Sequence, residues 1–216
     1  MPRVGLVLIR EAELRVLSMS LASLMRPGIA FLIVGLCGCT LGVERPDFPE
    51  LTWTHLPPIT LDVAEVEILD ATQPTSASPH VEHLFPLPPA KAAERWARDR
   101  LRAGGPANRA RFVIQRAEVI EVNLRQTGGL AGWFTKDQSE RYDADLAVLL
   151  EIRSNAGQRL GQVTAELRKS RTVPEDASLN QRESIWFTIT DDLMKLLNAE
   201  MERSVPQYLG RWMRAR

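Results

Sequence analysis

"YDADLAVLLEIRSNAGQRLGQVTAELR", Tyr142–Arg168, is the stretch that decides the fold. Tyr142, Ala144, Leu146, Val148, Leu150 and Ile152 are apolar at every second position, while Asp143, Asp145, Glu151 and Arg153 take the opposite phase. A period of two sends alternate side chains to opposite faces, so this is a strand with one buried face. Ser154–Gly157, "SNAG", has the composition of a hairpin turn. Beyond it, Val163, Ala165 and Leu167 alternate with Gln162, Thr164, Glu166 and Arg168. The pair predicts an antiparallel hairpin whose other face meets solvent.

Upstream, "ARFVIQRAEVIEVNL", Ala110–Leu124, is long and β-branched enough for one bent strand or two, and the glycine-rich "RQTGGLAGWFTKDQSE" joins it to the hairpin. Pro88-Pro89 opens a helix where a missing amide costs nothing. Ala93, Trp96, Ala97 and Leu101 form its apolar stripe, and Gly104-Gly105 ends it. Ser178 and Gln181 have capping-box spacing. After them Ile185, Trp186, Ile189, Leu193, Leu196 and Leu197 continue at helical spacing to Met201 or beyond. Ile59, Leu61 and Val63, then Val66 and Ile68 in the other phase, predict a first strand bulged near Ala64. The proline- and serine-rich Asp70–Pro89 is a loop. The expected fold class is α+β, a two-layer sandwich of an antiparallel sheet with two helices on one face, in the order β-α-β-β-β-α.

The N-terminal region has a different character. Ile29–Leu36 is apolar but too short for a membrane span of about 20 residues, and Arg26-Pro27-Gly28 bars its extension backwards. A basic residue, a short apolar run and small residues form the order of a secretory signal. Residues 1–38 are therefore assigned to a signal peptide, with 1–24 open to being an extension ahead of a start at Met19 or Met25. Leu36-Cys37-Gly38-Cys39 resembles the bacterial lipobox, whose obligatory cysteine is diacylated, which makes Cys39 the expected lipidation site. Cys37 occupies a slot where Ala, Ser or Thr is usual. A Cys-x-Cys disulfide would close too short a loop, and two thiolates lack the further ligands zinc needs. Pro46, Pro49, Pro57 and Pro58 make residues 39–58 a tether by composition, followed by the α+β domain at 59–209 and a basic tail at 210–216.

Formal charge is zero over the 216 residues, and the arginines before Cys39 leave the remainder slightly acidic. Nothing there suggests nucleic-acid binding. With both cysteines in the lipobox, the domain has no disulfide and must rely on its core.

The order of elements after the lipobox, spanning Leu61–Leu209, resembles the LptE-type lipopolysaccharide-assembly lipoprotein of the Gram-negative outer membrane. A similar layout belongs to the ABC-type transport auxiliary lipoproteins. The first resemblance implies a non-catalytic protein that plugs and folds an outer-membrane β-barrel and binds lipopolysaccharide; the second implies service to a lipid-trafficking complex. The "HVEHLFPLPP" insert and the Trp-Phe loop depart from both layouts.

Several residues are candidates for function. Trp133 and Phe134, adjacent aromatics in a glycine-flanked connection, suit a partner contact. Arg168, Lys169 and Arg171 suit lipid headgroups or phosphate, for which arginine offers a bidentate fork. Arg203, Arg211, Arg214 and Arg216 beside Tyr208, Leu209, Trp212 and Met213 make the C-terminus amphipathic and surface-seeking. His80 and His83 flank Glu82 at a metal-pair spacing without a third ligand, so the metal-dependent hydrolase they would support is an alternative only. Asp143 with Asp145 and Asp191 with Asp192 fall on solvated faces, unlike a catalytic dyad. No nucleophile motif, phosphate loop or dinucleotide fingerprint is present. The sequence therefore predicts a non-enzymatic envelope lipoprotein without metal or cofactor. Its membrane contact is through the lipid anchor, its partner a β-barrel or lipid-transport complex, and its place the periplasmic face of the outer membrane, Thr40 standing where an aspartate would signal inner-membrane retention.

Overall fold

Strand β4, Arg109–Asn123, is where the sheet changes direction: it runs parallel to β2, Glu65–Asp70, on one side and antiparallel to β5, Gln138–Arg153, on the other. Strand β6, Arg159–Pro174, returns antiparallel to β5, giving a four-stranded sheet in the order β2-β4-β5-β6. The computed structural model describes residues 47–124 and 138–214. The hairpin forms as its alternation predicts. Ser154 N–H donates to the Gln158 carbonyl at 2.8 Å, and Gly157 occupies φ +80°, where a side chain would be strained. The bend in β4 is a bulge between Ile114 and Arg116, so one continuous strand carries the whole of Ala110–Asn123.

One sheet face is covered by two helices, α1, Pro89–Arg100, and α2, Leu179–Leu209. Phe112 of β4 meets Trp96 of α1 with ring centroids 5.6 Å apart, and Tyr142 of β5 meets Trp186 of α2 edge-on at 5.8 Å. Trp96 Nε1 also donates to Asn198 Oδ1 of α2 at 3.1 Å. Trp186, Ile189, Leu193 and Leu197 are buried as the stripe predicts, but Leu196 is 42 % exposed, because it lies on the flank of α2 and not beneath it. The Ser178–Gln181 capping box is complete at both bonds. Pro206 lies within α2, which reaches eight residues past Met201.

The N-terminal strand differs from expectation. Ile59–Ile68 is not one bulged strand: β1, Ile59–Leu61, and β2 lie in separate sheets. Between them Val63 N–H turns back to the Leu61 carbonyl at 2.9 Å, and Ala64 N–H bonds to the carbonyls of Ala107 and Asn108. The helix also ends earlier than its apolar stripe. Leu101 leaves α1 for β3, Leu101–Ala103, which pairs parallel with β1; Leu101 remains buried, which is why its periodicity looks helical.

Two regions assigned to irregular chain are fixed to the domain. In Asp70–Pro89, Val81 N–H donates to the Val119 carbonyl and Glu121 N–H to the Pro79 carbonyl, and Phe85 is buried, stacked on Trp186 at 5.4 Å. The proline-rich segment is no free tether from Asp47 onward. Trp53 is buried with its backbone N–H donating to Asp99 at 2.8 Å, and Phe48 stacks on Phe187 at 4.9 Å. Arg100, 2 % exposed, holds the end of this segment by donating to the Pro57 carbonyl, and it pairs with Glu202 at 2.6 Å. The C-terminus is likewise folded back. Asp62 N–H donates to the Trp212 carbonyl, Arg214 N–H donates to the Thr60 carbonyl, and Met213 pairs with Leu61. A Cβ on Gly161 would collide with the Trp212 ring, so that glycine admits the indole. Trp212 and Met213 are thus spent on the domain and not on a surface-seeking tail.

Candidate functional site

The cations at the far end of β6 diverge because of the strand's pleat. Arg168 lies on the uncovered sheet face, where it donates to Asp145 of β5 at 3.1 Å. Lys169 and Arg171 point the other way and share Asp192 of α2 at 3.1 and 2.8 Å. Arg141 joins them from β5, opposite Thr172 in register. It forms a two-pronged bond with Asp143, at 2.9 and 2.7 Å from Nε and Nη2. Arg141, Lys169, Arg171 and Ile185 line a shallow depression of about 510 Å³. Its neighbour on the uncovered face, about 500 Å³, includes Arg141, Asp143, Asp145 and Arg168. The rim is therefore basic in composition but largely neutralised by its own carboxylates.

The charges of these groups follow from their partners. The Arg141 bond holds the Asp143 carboxyl below its ordinary value. Partial burial opposes ionisation of Asp192, but bonds from Arg171 and Lys169 prevail and hold it low as well. Asp145 serves both Arg116 and Arg168, and Asp191 pairs with Lys195 at 2.6 Å. Both adjacent carboxylate pairs are thus occupied by cations and do not face each other as a dyad would.

A second constellation was invisible in the sequence. Glu140 and Tyr142 of β5 and Arg182 of α2 converge: Tyr142 Oη donates to Glu140 at 2.8 Å, and Arg182 bonds to both. Burial, then the bond to Glu140, pushes the Tyr142 phenol well up, so it remains protonated. Its buried ring under Trp186 makes this a clamp between α2 and the sheet.

His80 and His83 do share a cavity, of about 600 Å³, with Glu82, Lys91, Arg116 and Glu118 on its wall. Yet His80 Nδ1 lies 3.8 Å from Glu82, whose Oε2 instead accepts the Val119 N–H at 3.1 Å. Among the described residues no three His, Cys, Asp or Glu side chains converge as a metal ion requires. Nor, among those residues, is any helix long and apolar enough to cross a membrane. Cys39, Trp133 and Phe134 lie outside the described residues.

Counting from the turn brings Arg141 to within one residue of its partner: Arg153 pairs with Arg159, which points to Arg171, and a register shift between Ile152 and Arg153 moves the partner to Thr172. Glu140, Arg182 and Asp192 carried no such signal, because their meeting depends on how α2 lies across the sheet.

No family model and no curated protein sequence matches this chain. Its fold is similar to that of the rare lipoprotein B from Shewanella oneidensis, with 5 % identity, a TM-score of 0.35 and coverage of 66 % of this chain and 95 % of that one. It is also similar to a minor lipoprotein from Acinetobacter baumannii, with 15 % identity, a TM-score of 0.33 and coverage of 74 % and 100 %.

Proposed function

We propose that this chain is a lipid-anchored, non-enzymatic protein of the bacterial envelope, attached through Cys39 and acting by contact in outer-membrane lipid or lipopolysaccharide transport. The observation that carries the reading is Leu36-Cys37-Gly38-Cys39 directly after an apolar run too short to span a membrane. The basic rim supports it: Arg141, Arg168, Lys169 and Arg171 gather at one end of the sheet, where exchange of a carboxylate for a lipid phosphate costs little, since exposed ion pairs are weak. The auxiliary subunit of an ABC-type lipid transporter is the variant of this role in which the partner is a transporter complex and not a β-barrel.

Labelling with a radioactive fatty acid tests the anchor. The parent takes up label, and Cys39→Ser accumulates as an unlabelled precursor; unchanged labelling in that variant overturns the assignment. Co-purification from envelope membranes tests the role, a β-barrel or a transporter complex being the expected companion. A chelator-sensitive hydrolytic activity lost in His80→Ala and His83→Ala would replace the proposal with its enzymatic alternative.

A further inference from the structure

β6 is the last strand of its sheet. It pairs with β5 along its whole length, and among the described residues no strand pairs with its other side. A strand edge presents unpaired N–H and C=O groups, which proteins ordinarily blunt by shortness, bulges, proline or free lysines. β6 uses few of these devices. It is 16 residues long, its only proline is terminal, and its register with β5 is unbroken from Gly161 to Val173. Three of its four cations are drawn off the edge, Arg168 to Asp145 on one face and Lys169 and Arg171 to Asp192 on the other, and the fourth, Arg159, stands at the turn end. Arg211 takes the Leu160 carbonyl at 3.1 Å, so among the described residues the edge is capped at its turn end. Beside this edge runs a flank of α2 that carries Ile185, two turns before Asp192, and the exposed Leu196, one turn after it.

We propose that this edge pairs antiparallel with the same edge of a second copy of the chain, about a twofold axis at Leu167, joining two four-stranded sheets into one. Residues directly opposite in an antiparallel pair share a face, so a symmetric pairing must centre on a residue. Centring on Glu166, Arg168 or Lys169 sets like charges against each other. Leu167 alone sets Glu166 against Arg168 of the second copy, twice by symmetry. The same register puts Thr164 opposite Ser170 and Gln162 opposite Thr172, hydroxyl and amide groups that bond across strands. On the helix face Lys169 and Arg171 meet Ala165 and Val163, laying their stems on small apolar side chains while Asp192 answers their charge. The closed twofold contact consumes both edges and leaves none for further growth. This inference is independent of the lipid anchor.

The full chain in mild detergent tests it by sedimentation equilibrium. The parent sediments with the mass of two chains at micromolar concentration. Glu166→Arg, which opposes Arg168 of the second copy, weakens association about tenfold or more, and Glu166→Arg with Arg168→Glu restores it. In a Cys37→Ser, Cys39→Ser background, Thr164→Cys with Ser170→Cys gives a disulfide-linked dimer on oxidation, because opposed strand residues meet disulfide geometry. Gln162→Cys with Ser170→Cys, out of register, does not. Circular dichroism confirms that each variant is folded. A single-chain mass for the folded parent overturns the proposal, as does a dimer indifferent to Glu166→Arg or unlinked by the 164–170 pair.

Discussion

The two faces of the sheet are built from the same strands and obey opposite rules. On the helix-covered face Phe112, Ile114, Leu146, Leu150 and Ile152 are fully buried. On the uncovered face the alternate positions carry ion-pair ladders: Arg109 and Arg111 on Glu67, Arg111 and Arg153 on Glu151, Arg116 and Arg168 on Asp145. The contrast shows where stability resides. Removing apolar area from water stabilises the covered face in proportion to the area buried, whereas the ladders trade hydration for pairing and gain little. Glu151 is the buried carboxylate of its face, 2 % exposed and closed over by Arg111 and Arg153.

The covered face should break most severely at Trp186, 5 % exposed and in ring contact with Phe85 and Tyr142. Trp186→Ala is expected to lose about 3–5 kcal/mol in a denaturant titration. Its indole N–H has no hydrogen-bond partner among the described residues. Trp186→Phe, which keeps a ring and discards that buried donor, should therefore cost markedly less. Equal losses for the two would mean that the indole's shape, and not its area, holds α2.

On the uncovered face Glu151→Ala should be the most damaging change, yet milder, about 1–3 kcal/mol, since it strands two guanidiniums that still reach solvent. Glu151→Gln should recover part of the loss by keeping an acceptor. A loss as large as that of Trp186→Ala would remove the distinction between the faces.

Alternation made this division legible in advance. Tyr142–Arg153 and Val163–Leu167 assign each residue to its face correctly, and the capping box fixed where α2 begins. What could not be read was whatever depends on distant chain. Leu101 has a helical phase and an extended backbone, because β1 offers it a partner. Prolines between Pro46 and Pro58 describe local stiffness and say nothing of Trp53 finding Asp99. The basic rim was visible as Arg168, Lys169 and Arg171, but the acids that neutralise it come from β5 and α2, so its net character emerged only with the packing.

Acid should sharpen the comparison, because it acts on the ion pairs and spares the apolar face. Asp143 and Asp192 have folded values below the unfolded carboxylate value of about 3.9. Their contribution is therefore present above that value and is lost as pH falls through the lower folded value. The difference in unfolding midpoint between the parent and Asp192→Asn should be clear at neutral pH and shrink below about pH 4. A difference independent of pH would show that Asp192 acts through packing and not through its charge.

The smallest effect is expected at Arg168. Its side chain is 77 % exposed, and its carboxylate partner Asp145 retains Arg116 at 3.0 Å when Arg168 is removed. Neither charge is then left buried and alone, which is the circumstance that makes loss of an ion pair expensive. Arg168→Ala should consequently change stability by no more than about 0.5 kcal/mol, with a slope in salt too shallow to measure. Arg116→Ala should cost more, since the remaining Arg168 is 77 % exposed against 39 % for Arg116 and pairs with Asp145 in fuller contact with water. If Arg168→Ala matched Glu151→Ala, the ladder around Asp145 would be as closed to solvent as that around Glu151, and the cations of the rim would be structural fixtures with no freedom to exchange a carboxylate for another anion.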